Sequence, residues 1–268
     1  MLIKKRTVVT GSFVKRLHSC SRIEFSVAAF IVSGLLSITP LCSVTVAGAA
    51  GEVQSATLQP RRANFLRETV SSDARHIADW VVDSGDNHNM PFVIVDKVAA
   101  KVYVFDLQGV LRGATPALLG LALGDDAVPG IGNRKLSRIH PVERTTQAGR
   151  FVAERGRNLH GDTIIWIDYD SGLSLHRVIS SKPAERRLQR LKSPKALDRR
   201  ISYGCINVAV KFFDTIVLPA FTGTNGIVYV LPETRPAQDV FGSYDVDDHE
   251  RQHKTKHTVA PEQVPAGR

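Results

Sequence analysis

The chain has 268 residues, 43% hydrophobic and 23% charged, enough for one sizeable core or two small ones. Its net charge is +9, but residues 1–49 hold six Lys or Arg against Glu24 alone, which leaves only +4 for the remainder. That mild excess, with no interleaved aromatic and basic pattern, argues against a nucleic-acid partner.

Residues 1–49 have the form of a targeting segment. A basic region precedes an uncharged apolar stretch, Phe25 to Val46, and Ala47-Gly48-Ala49 offers a small-residue cleavage site. The expectation is a signal peptide cleaved after about Ala49, or failing that an N-terminal membrane anchor. The working domain then lies in the periplasm or cell envelope. Cys20 and Cys42 belong to this segment, so Cys205 has no structural partner. Residues 50–85 follow as a polar linker and one short helix, Ser72 to Val82, with Ile77, Trp80 and Val81 on one face.

Strand patterns come next. Phe92–Val95 and Val102–Phe105 are rich in β-branched and aromatic residues and read as a hairpin. Leu118–Leu123 and Arg150–Ala153 are further strand candidates. Thr163–Asp168 and Leu173–Ile179 form a second hairpin through Asp170-Ser171-Gly172. Gly130-Ile131-Gly132 lacks the strand–helix context of a dinucleotide fingerprint and reads as a loop. From Lys182 to Arg200 there are eight Lys or Arg against Glu185 and Asp198, a lid over anionic substrate or simply a solvated loop. Val208–Leu218 has helical spacing and stops at Pro219, and Ile227–Leu231 is a last strand. The expected fold is mainly β with a few helices, over 86–235, followed by a disordered polar tail at 236–268.

Chemistry concentrates at Ser202-Tyr203-Gly204-Cys205-Ile206-Asn207. A lone cysteine with a histidine elsewhere is a candidate nucleophile. Gly204 permits a sharp turn, and the nearby start of a helix would lower the thiol's pKa and offer amides to an oxyanion. Among the histidines, His140 and His160 sit in loops, whereas His176 lies on a strand that fixes its ring. There is no His-Glu-x-x-His and no cysteine pair, so no metal or cofactor is expected.

Leu175-His176-Arg177 followed by Ser202-Tyr203-Gly204-Cys205-Ile206-Asn207 resembles the signature of the YkuD-type L,D-transpeptidases. Arg144 to Phe151 is similar to that family's Thr-Pro-x-Gly-x-Phe turn, with Gln147 where proline is usual. The resemblance covers much of 91–232 and implies a β-sandwich-like catalytic domain acting on peptidoglycan stem peptides. It implies Cys205 as nucleophile and His176 as proton acceptor and donor, oriented by the backbone carbonyl of Arg177. Backbone N–H groups of Gly204 and Cys205 would hold the oxyanion, with Ser202 and Tyr203 in support, and Asn207 and Arg200 would meet substrate. The implied reaction releases terminal D-alanine from a tetrapeptide and passes the acyl group from a thioester to an amine. Water as acceptor, giving a peptidase, and a silent wall-binding protein on the same fold are the rival readings. Two departures stand out: Tyr203 replaces the family's second histidine, and 29 residues separate His176 from Cys205.

Overall fold

The computed structural model describes residues 59–248. Within them the strands are β1 (Phe92–Asp96), β2 (Lys101–Phe105), β3 (Leu111–Pro116), β4 (Leu119–Gly120), β5 (Gly149–Arg157), β6 (Thr163–Asp168), β7 (Leu173–Arg177), β8 (Arg200–Ser202), β9 (Ile206–Val208) and β10 (Gly226–Val230). The α-helical pieces are α1 (Ser72–Ser84), α2 (Arg187–Leu191), α3 (Val210–Phe212), α4 (Leu218–Ala220) and α5 (Ala237–Phe241). Eight strands form one sheet in the order β3-β2-β1-β10-β5-β6-β7-β9, and β4 pairs with β8 separately.

Alternation along the central strands divides the core in two. Val93, Val95, Val102, Val104, Val228 and Val230 face one side. Phe92, Ile94, Tyr103, Phe105, Ile227 and Tyr229 face the other. Strands buried on both faces read as continuous apolar runs, which is why β1, β2 and β10 stand out in the sequence. Helix α1 covers the aromatic side through Ile77, Ala78 and Val81, and Trp80 meets Tyr229 edge-on at 6.3 Å. Its start is set by the Ser71 hydroxyl, which accepts the Ala74 N–H at 3.1 Å, and its end by Gly85 at φ 73°. The valine side is filled by Phe213, Val217 and Phe221 from the helical stretch that includes α3 and α4.

The sheet curls until its edges meet. Just beyond β3, Leu118 exchanges two backbone hydrogen bonds with Asn207 of β9, at 2.8 and 2.9 Å. This bridge pairs the edge strand that carries the site and leaves it no open ladder. The expected mainly β domain with a few helices is what the chain forms.

Several boundaries differ from expectation. Leu118–Leu123 yields only the two-residue β4, and β3 lies upstream, in a stretch masked by Gly113, Ala114 and Pro116. Pro219 does not stop its helix. A π-helical turn over Phe213–Val217 precedes it, relieving the lost N–H and the ring's clash with the carbonyl four residues back. The expected linker contributes Ala63 and Phe65 to the core, beside the expected short helix α1, and the expected tail contributes α5 and the buried Val246. The targeting segment and residues 249–268 lie outside the described residues. Among the described residues no helix is long and apolar enough to cross a membrane.

Candidate active site

β7 and β9 run parallel, with His176 opposite Asn207. Leu175, Ile206 and Val208 point into the core, so Ser174, His176 and Asn207 project together from the opposite face. Cys205 immediately precedes β9 on a tight turn. Gly204 holds φ 129°, and a Cβ there would come 2.8 Å from the Thr145 carbonyl oxygen, so both backbone and space demand glycine. The Ser202 hydroxyl donates to the Cys205 carbonyl at 2.6 Å and accepts the Gly204 N–H at 3.1 Å. From the other side the Thr146 hydroxyl donates to the Gly204 carbonyl at 2.7 Å and accepts the Gly120 N–H at 2.8 Å.

These bonds set the sulfur among polar groups. The Ser174 hydroxyl lies 3.4 Å from Cys205 Sγ, the Gly172 carbonyl oxygen lies 3.5 Å away, and the His176 imidazole is close enough to bear on the thiol's charge. His176 Nδ1 donates to the Arg177 carbonyl at 2.7 Å, which fixes the tautomer and leaves Nε2 for proton exchange. Burial pushes the Cys205 thiol up, but the adjoining imidazole and Ser174 outweigh it and bring the pKa down to about 7. Burial likewise opposes a charged His176, while the Cys205 thiolate and the Arg177 carbonyl raise it above the usual imidazole value. Both shifts run toward a thiolate beside an imidazolium, the form in which a cysteine can act as a nucleophile.

Beside the sulfur is a narrow cavity of about 20 Å³, lined by Cys205 with Tyr203, Gly172, Ser171, Thr145 and Gln147. Its volume by this measure is close to what one water requires.

The described fold is similar to several solved structures. The catalytic domain of the Enterococcus faecium L,D-transpeptidase matches over 53% of this chain and 98% of its own, at 16% identity and TM-score 0.30. The Ldtfm–avibactam carbamoyl enzyme matches over 53% of this chain and 49% of its own, at 16% identity and TM-score 0.32. The helical cell shape determining protein Pgp2 from Campylobacter jejuni matches over 60% of this chain and 52% of its own, at 15% identity and TM-score 0.38. The match thus spans about half the length of the chains in the carbamoyl-enzyme and Pgp2 structures, 49% and 52%. No protein-family model and no curated protein matches the sequence.

Most residues expected at the site are brought together: Cys205, His176, Asn207, Gly204, Ser202, Tyr203 and the Arg177 carbonyl. Three details differ. The Gly204 N–H is engaged by Ser202 and does not face an open oxyanion position. Cys205 leads into β9 rather than a helix, so no helix N-terminus lowers its pKa. Arg200 is buried, with its guanidinium on Glu233 and the Lys97 carbonyl, and is not offered to substrate. The Arg177 backbone carbonyl holds the imidazole as expected, and its guanidinium turns to Asp214 at 2.7 Å.

Tyr203 lies under the Arg144 guanidinium, 3.9 Å from ring centroid to charge, on the cavity wall. His140 starts a short 3₁₀ turn and His160 sits in an exposed turn between β5 and β6. Ser174, Thr146 and Arg187 are site residues that sequence reasoning missed. Ser174 carried a signal, since it lies two residues before His176 on the same strand and must share its face. No three-residue His, Cys, Asp or Glu group suited to a metal occurs among the described residues.

Proposed function

We propose that the protein is a cysteine-dependent acyltransferase of the cell wall, an L,D-transpeptidase acting on peptidoglycan stem tetrapeptides. The observation that carries this reading is the Cys205–His176 pair, with the thiol brought down to about 7 and the imidazole held in one tautomer by the Arg177 carbonyl. The sequence resemblance to YkuD-type enzymes supports the substrate class.

The Cys205 thiolate attacks the carbonyl carbon of the amide preceding the terminal D-alanine, forming a C–S bond and a tetrahedral oxyanion. The Cys205 N–H is the backbone donor left for that oxyanion, since Ser202 engages the Gly204 N–H. Collapse breaks the C–N bond. His176 gives its Nε2 proton to the departing amine, D-alanine leaves, and a thioester remains on Cys205. An acceptor amine then attacks the thioester, His176 takes its proton, and the restored thiolate leaves. Export to the periplasm or cell envelope is part of the same proposal, since the substrate is extracytoplasmic.

The test is product analysis of full-length protein incubated with a disaccharide-tetrapeptide. Release of D-alanine with formation of a crosslinked dimer is expected, and Cys205→Ala should abolish both. Release of D-alanine with free tripeptide alone would make the enzyme a peptidase. No turnover by folded wild-type protein would favour a wall-binding protein.

A further inference from the structure

The basic stretch between β7 and β8 sends one side chain into the site. Arg187, the first residue of α2, donates from its NH1 to Asn207 Oδ1 at 2.7 Å. An arginine has only donors, so this contact fixes which end of the Asn207 carboxamide is which. The amide nitrogen must point the other way, and it lies 3.2 Å from His176 Nε2 and 3.3 Å from the Cys205 carbonyl.

That orientation has a consequence for the imidazole. His176 Nδ1 carries a proton for the Arg177 carbonyl, so Nε2 is the nitrogen that gains and loses one. A bare Nε2 can accept from the Asn207 amide, whereas a protonated Nε2 faces an N–H group on that side. We propose that Arg187 is a positioning residue which, by locking the Asn207 amide and by its own charge, keeps His176 able to give up its proton against the pull of the Cys205 thiolate. The inference rests on the acyltransferase reading, in which His176 must both donate and accept within one cycle.

The surrounding charges agree. Cys205 faces the ring from the turn before β9, and Arg187 faces it from α2. Arg177, on the ring's own strand, turns its guanidinium to Asp214. Glu185 holds the Arg187 Nε at 2.5 Å and orients it, leaving NH1 for Asn207. Lys182 in turn lies 3.9 Å from Glu185. The Arg187 charge opposes protonation of His176, and the thiolate favours it.

The experiment is NMR titration of the His176 ring in full-length protein, in wild type, Arg187→Leu, Arg187→Lys and Asn207→Asp, each also made in the Cys205→Ala background. Removing the thiolate isolates the contribution of Arg187 and Asn207. In that background Arg187→Leu should raise the His176 pKa by about one unit, a tenfold gain in proton affinity. The freed amide can then turn Oδ1 to Nε2–H. Asn207→Asp, which presents only acceptors, should raise it further, and Arg187→Lys should restore most of the wild-type value. An unchanged His176 titration in folded Arg187→Leu would overturn the proposal and leave Arg187 as a loop anchor. Failure of the acyltransferase reading is separate: wild-type Cys205 would form no thioester, while the titration still reports on Arg187.

Discussion

At the scale of single residues, the thiol of Cys205 is the quantity that matters. Its pKa of about 7 results from burial that disfavours the thiolate and from His176 and Ser174, which favour it more strongly. The sign is testable without substrate. Alkylation of Cys205 by iodoacetamide should rise with pH and level off above about 7. In His176→Ala the imidazolium is gone and only Ser174 is left to oppose burial, so the inflection should move up to the ordinary thiol value of about 8.5 or above it. Wild-type alkylation that still climbs steeply above pH 8 would mean that the imidazole does not activate the sulfur. Tyr203, where the YkuD-type signature has a second histidine, offers a phenol in place of an imidazole. Under the Arg144 guanidinium, it shapes the cavity wall.

At the scale of elements, the turn from Ser202 to Cys205 connects two short strands and decides where the sulfur goes. Gly204→Ala would place a methyl 2.8 Å from the Thr145 carbonyl at a φ of 129° that side chains avoid. The expected cost is about 1–3 kcal/mol of stability, with a displaced Cys205. Denaturant unfolding and the alkylation rate check it, and an alanine variant with wild-type stability and reactivity would show that the turn tolerates a side chain.

These short elements were also the least legible in the sequence. β6 has the ends its sequence pattern predicts, and β1, β2, β7 and β10 nearly so: β1, β2, β6 and β10 carry runs of β-branched or aromatic residues, and β7 alternates leucine with polar residues. β8 and β9 have three residues each and exist only because β4 and β7 lie beside them, a long-range condition that no local pattern records. The site shows the same division. Cys205, His176 and Asn207 were visible as residue types in a motif. Arg187 was one of eight basic residues in its stretch, and nothing local distinguished it from a solvated charge. Arg200 failed as a substrate contact for the complementary reason, since its ion partner Glu233 lies 33 residues away.

At the scale of the whole molecule, a buried charge network braces the site from behind. Lys97, fully buried, donates to the Gly124 carbonyl at 2.6 Å, Asp125 at 2.7 Å and the Thr146 carbonyl at 3.0 Å. Burial would raise Asp125, yet Lys97, the Thr234 hydroxyl and the backbone N–H groups of Glu233 and Thr234 hold it well below the usual carboxylate range. Such a network contributes little net stability over an apolar core, but it is costly to break and fixes one geometry. Here that geometry includes Thr146, whose hydroxyl holds the Gly204 carbonyl. Thus the ends of β1 and β10, the turn at 144–149 and the cysteine turn are tied together, and closure of the sheet at Leu118 and Asn207 completes the frame.

The most direct test of the central claim is intact-protein mass spectrometry of the full chain mixed with a disaccharide-tetrapeptide and no acceptor. The account predicts an adduct equal to the substrate less D-alanine, attached to Cys205 and absent from Cys205→Ala. Folded wild-type protein that turns over the tetrapeptide with no such adduct, or an equal adduct on the alanine variant, would contradict it.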